Sequence, residues 1–120
     1  MLHNYDFHCP HCRFKLNDDK SIILGTLREN GDAGTIYLST SIGNYSYKHE
    51  PKCKFESGEL VTFCCTSCSK SVNSKEFGNY AQLILDVDGN VEFDILFSRK
   101  AGVQKTYLIT EEGIETYSGT

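Results

Sequence analysis

The stretch Phe7-His8-Cys9-Pro10-His11-Cys12 returns as Phe63-Cys64-Cys65-Thr66-Ser67-Cys68, and this F-x-C-x-x-C repeat decides how the rest of the chain is read. The likeness runs on, because Leu16-Asn17 falls in register with Val72-Asn73. A C-x-x-C turn lets two sulfurs converge on one ion while nearby backbone N–H groups face the thiolates. Two such turns supply the four sulfurs of a closed tetrahedral site. The register also selects among the later cysteines. Cys64 aligns with His8, so Cys9, Cys12, Cys65 and Cys68 are the candidate metal ligands and Cys64 is a neighbour.

Zinc suits such a set first, because it accepts four sulfurs in a tetrahedron without a change of redox state. Iron takes the same ligands, and spacing does not separate the two. One structural zinc is the expectation. Four thiolates leave no open position for water, so the pattern points away from a catalytic metal. At these residues the chain resembles the zinc-ribbon family, whose two cysteine knuckles sit on adjacent β-hairpins. The resemblance covers residues 7 to 72. Family knuckles often place Pro inside the turn and Gly after its second Cys. Here Pro10 is present, Thr66 replaces the second Pro, and Arg13 and Ser69 occupy the Gly positions.

Twelve Lys plus Arg stand against sixteen Asp plus Glu, a formal charge of −4. A protein that grips nucleic acid through phosphates leans basic, so the balance disfavours that partner. Zinc on four thiolates makes the balance more acidic still. The N-terminus shows neither the basic nor the apolar region of a signal peptide, and no apolar run approaches membrane-spanning length. The expectation is a cytoplasmic chain with no membrane partner, where paired cysteines favour metal over disulfide.

Helical periodicity is scarce, whereas strand signals recur between turn residues. Ser21 to Leu27 and Thr35 to Thr40 flank a turn at Asn30-Gly31, and Gly43-Asn44 leads into Tyr45 to Tyr47. Leu60 to Phe63 delivers the second cysteine pair. Leu83, Leu85 and Val87 share one face of a strand that turns at Asp88 to Asn90 into Val91, Phe93, Ile95 and Phe97. Thr106 to Thr110 pairs with Ile114 to Tyr117. A short helix is placed near Ser74 to Tyr80. The fold class is mainly β: zinc-ribbon-like hairpins with an added antiparallel meander and little helix. Residues 1–120 read as one small domain, with a ribbon-like part at 1–74 and C-terminal hairpins at 75–120.

The remaining signals are weaker than their bland readings. His8 and His11 are exposed turn residues or donors to sulfur, and His3 and His49 are surface residues. Cys53 and Cys64 read as small buried or partly buried apolar residues, the alternative being that one of them substitutes for a ligand or forms a redox pair. Asp86-x-Asp88-x-Asn90 lacks the Gly and Glu that a calcium loop needs. The basic cluster Lys48, Lys52 and Lys54 and the basic turn Ser98-Arg99-Lys100-Ala101-Gly102 with Lys105 beyond it read as solvated loops. No nucleophile, base or phosphate-cradle motif is present, so no catalytic residue is assigned and no small-molecule substrate is evident. The expected function is a non-catalytic zinc-binding protein that recognises another protein. The alternative is a nucleic-acid-binding zinc ribbon associated with transcription or translation.

Overall fold

Alternating apolar residues build nine antiparallel strands, seen in a computed structural model that describes residues 5–89 and 91–118. They are β1 (Tyr5–His8), β2 (Ser21–Leu27), β3 (Ala33–Ser39), β4 (Tyr47–Glu50), β5 (Thr62–Cys64), β6 (Tyr80–Val87), β7 (Val91–Ser98), β8 (Lys105–Thr110) and β9 (Gly113–Ser118). One sheet runs β4-β3-β2-β5 and the other β1-β6-β7-β8-β9. The period of two is plain in β2 and β6, where Ile22, Leu24, Leu83 and Leu85 turn inward and their neighbours outward. His3 lies outside the described residues, as does Asn90 in the hairpin turn. Among the described residues no helix is long and apolar enough to cross a membrane.

The two sheets repeat one plan. Leu24 faces Ile36 across β2 and β3, and Ile36 faces His49 on β4. In the second half Leu83 faces Ile95, and Ile95 faces Leu108 on β8. The first strand of each half, however, sits in the other half's sheet. Phe7 of β1 pairs with Leu85 of β6, while Phe63 of β5 pairs with Thr26 of β2. The halves therefore exchange one strand each, as two subunits of a swapped dimer would, and β9 is an addition to one of them. The 74/75 boundary drawn from sequence is crossed by the β1–β6 ladder.

Phe7 and Phe63 enter one core with Leu16, Val72, Leu24, Leu83, Ile36 and Ile95. Full burial of such side chains contributes about 1.5–3 kcal/mol each, so the exchanged strands are held by their aromatics as well as their ladders. Leu96 is buried too, but on the other face of β7, beside Gln82 and Tyr107 in the register.

Two expectations are corrected. Ser74 to Asn79 forms a turn instead of a helix: Ser74 Oγ accepts from Phe77 N at 3.1 Å and Tyr80 N donates to Phe77 O at 2.8 Å. Each of these bonds spans three residues and neither is followed by a next one, so no helix gains propagating bonds here. His49 is buried instead of exposed, because β4 faces Ile36 through it. Its Nε2 lies 2.6 Å from Thr26 Oγ1, its Nδ1 2.7 Å from Pro51 O, and Cys53 Sγ is 3.3 Å from Nδ1. Gly34 makes room for the ring, since a Cβ there would stand 2.5 Å from His49 Cε1.

The linker from β4 to β5 is pinned by charge. Arg28 donates twice to Glu59, through Nε and Nη2 at 2.9 Å each, and its guanidinium lies over the Phe55 ring. This fork keeps the Glu59 carboxyl below its ordinary pKa.

Candidate metal centre

The cysteine turns hang from the exchanged strands. β1 ends at His8 and β5 at Cys64, so each strand delivers its first ligand directly into a tight turn. In the first turn Arg13 N donates to Cys9 O at 2.9 Å and Cys9 N to Phe14 O at 3.0 Å. In the second, Ser69 N donates to Cys65 O and Cys65 N to Lys70 O, each at 3.0 Å. Leu16 N then returns to Phe7 O at 2.7 Å and Val72 N to Phe63 O at 2.8 Å. The two turns thus share the same three backbone–backbone bonds.

Closing such a turn requires a left-handed residue after the second Cys. Arg13 (φ 65°) and Ser69 (φ 63°) adopt that conformation despite their side chains. The absence of Gly from the sequence therefore did not change the geometry; it loaded each turn with roughly 1–2 kcal/mol of backbone strain.

The structure brings Cys9, Cys12, Cys65 and Cys68 together, with their sulfurs all within 4.8 Å of one another. The sulfurs of Cys12 and Cys65 are 3.6 Å apart, and those of Cys9 and Cys68 3.8 Å. A tetrahedron with zinc–sulfur bonds of about 2.3 Å has edges of about 3.8 Å, so the donor set fits a first-row ion of this size. None of the six cysteines is in a disulfide. The first Cys of each turn is buried and the second reaches outward, Cys12 exposed and Cys68 half-buried.

Backbone N–H groups stand ready for thiolate charge. His11 N donates to Cys9 Sγ at 3.3 Å, and Ser67 N and Cys68 N donate to Cys65 Sγ at 3.3 and 3.5 Å. Burial pushes the Cys65 thiol up to about 12, against the pull of the Cys68 and Ser67 N–H groups. Burial likewise raises Cys9, whereas the Phe14 N–H beside Cys12 draws that thiol down to about 7. A metal entering the site has to displace the protons on Cys9 and Cys65, so occupancy rises with pH.

The other sequence candidates sit around this group. His11 Nε2 lies 3.0 Å from Ser71 O, a ring-to-backbone tie between the two turns. His8 Nδ1 lies 3.0 Å from Arg13 O and its Nε2 3.7 Å from Asp86. Arg13 in turn pairs with Glu92. Neither ring belongs to the four-sulfur cluster. Cys64 and Cys53 also lie outside it, both part-buried, with the Cys64 thiol raised by burial. Sequence gave no sign of the His11–Ser71 tie, because its partner is a backbone carbonyl of the distant turn.

What the chemistry defines at this point is a four-cysteine candidate metal site of C-x-x-C type, held on an all-β scaffold. Compared with family models, curated proteins and solved structures, the chain matches none.

Proposed function

We propose that the chain is a non-catalytic zinc-binding module of zinc-ribbon type, with Cys9, Cys12, Cys65 and Cys68 on one structural zinc. Its role is recognition of another protein. The observation that carries the zinc reading is the convergence of four sulfurs from two turns with matching backbone hydrogen bonds. Four sulfurs fill a tetrahedron, which leaves no position for a reacting water.

Recognition fits what the scaffold offers. β9 is the last strand of its sheet, six residues long and exposed except at Tyr117. An edge of this kind accepts an added strand from a partner. The net charge of −4 makes phosphate-led nucleic-acid binding the weaker reading.

Native mass spectrometry of the purified chain should find one zinc per chain. Cobalt substitution should give the spectrum of a four-sulfur tetrahedron that added azide leaves unchanged. A shift on azide addition would mean an open coordination position and count against a purely structural metal. A salt-sensitive gel shift with DNA or RNA would favour the nucleic-acid alternative.

A further inference from the structure

The two sheets do not close fully on each other. Between them lies a cavity of about 410 Å³ that opens between the β3–β4 and β7–β8 connections. Protein interiors have few voids larger than a water molecule, so a space of this size in so short a chain is a built feature. It falls within the range of small-molecule sites, roughly 300–1,000 Å³.

Its walls are of two kinds. Deep inside are Phe7, Phe63, Ile36, Ile95, Leu38 and Phe97, three pairs that occupy matching places in the two halves. At the rim stand Lys54, Arg99, Lys100 and Lys105, and among the described residues no acidic one lines the cavity. This collar is basic in a protein whose net charge is −4. Arg99 is committed to the scaffold, with Nε on Val61 O and Nη2 on Thr62 Oγ1. Among the described residues the three lysines are in no ion pair with protein carboxylates. Lys54 from one of the basic runs read from sequence as solvated loops thus meets Arg99, Lys100 and Lys105 from the other at one opening.

We propose that this cavity binds a single-chain amphiphile with a carboxylate head, its alkyl chain between the sheets and its head among Lys54, Lys100 and Lys105. A dry apolar cavity of about 150 Å³ takes a six-carbon ring, so 410 Å³ holds on the order of sixteen heavy atoms. A twelve-carbon chain with its carboxylate fits within that limit. Tyr45 shapes one wall, fixed by its hydroxyl to Thr106 Oγ1 at 2.9 Å and to Tyr117 O at 3.1 Å. Oriented hydroxyls and cationic ends at the mouth of an apolar slot select a ligand with one charged terminus.

The test is isothermal titration of the purified chain with dodecanoate, dodecyltrimethylammonium and acetate. Dodecanoate should bind one to one with a Kd below about 100 µM, while the cationic amphiphile and acetate bind at least about tenfold more weakly. The surface variant Lys100→Glu/Lys105→Glu should lose about tenfold for dodecanoate, and Leu38→Trp, which fills the slot, should abolish binding. Circular dichroism and cooperative thermal melts establish that each variant is folded. Equal binding of the cationic amphiphile, no saturable binding of dodecanoate, or undiminished binding in the lysine variant would overturn the proposal. None of these readouts depends on what the four cysteines hold.

Discussion

Replacing Cys65 by Ser separates the metal reading from ordinary core packing. A metal on both turns ties residue 12 to residue 65, 53 positions apart. In the chain-entropy treatment a cross-link over a loop of that length costs the unfolded chain about 4 kcal/mol of freedom. This is the share that loop closure alone contributes, and it disappears when either turn loses a ligand. With a guanidinium slope of about 3 kcal/mol/M, the unfolding midpoint of Cys65→Ser should fall by about 1.3 M. Wild-type protein treated with a chelator should fall by a similar amount, and chelator should not move the variant further. Cys64→Ser is the control. Cys64 neighbours Cys65 but lies outside the cluster, so that variant should keep one metal per chain and stay within about 1 kcal/mol of wild type. The reasoning fails if Cys65→Ser retains stoichiometric metal and the wild-type midpoint, or if Cys64→Ser loses its metal.

Three further outcomes follow from local geometry. Ser69→Gly relieves a left-handed residue and should raise stability by about 0.5–1 kcal/mol in thermal melts, with metal content unchanged. Gly34→Ala should destabilise by about 1–3 kcal/mol, because the new methyl meets His49 Cε1 and the Glu50 carbonyl oxygen, which is backbone and cannot swing away. Glu59 has a folded pKa below its unfolded value, near 4.3, because of Arg28. Its contribution is therefore present above that value and is lost as pH falls through the folded pKa. The gap in melting temperature between wild type and Glu59→Gln should narrow as pH drops from 5 to 3, and a constant gap would contradict the assignment.

Much of the sheet was legible because its cores alternate. Ser21–Leu27 carries its inward residues at every second place, and Val91–Ser98 follows a turn marked by Asp88-Gly89. β4 was not legible in the same way. Its single inward residue is His49, whose justification is the Thr26 hydroxyl two strands away, so expectation settled on Tyr45 to Tyr47 instead. The repeat was visible only where chemistry holds it, at the cysteines and the residues just after them. Beyond Asn17 and Asn73 the halves keep positions but only some residue types: Leu24 matches Leu83 and Ile36 matches Ile95, whereas His49 stands where Leu108 stands and Thr26 where Leu85 stands. The candidate site was legible almost whole, since ligand spacing is a sequence property. The cavity was not, because its walls come from strands and loops spread over the whole chain.

Strand exchange also has a consequence for a nascent polypeptide. β1 finds its neighbour only when Leu85 has been made, and Cys9 meets Cys65 only after 56 more residues leave the ribosome. At about 5–20 residues per second, the first pair of thiols waits roughly 3–11 seconds without its counterpart. Through that interval the leading half carries an uncapped sheet and reactive sulfur, and the last half of translation is what retires both.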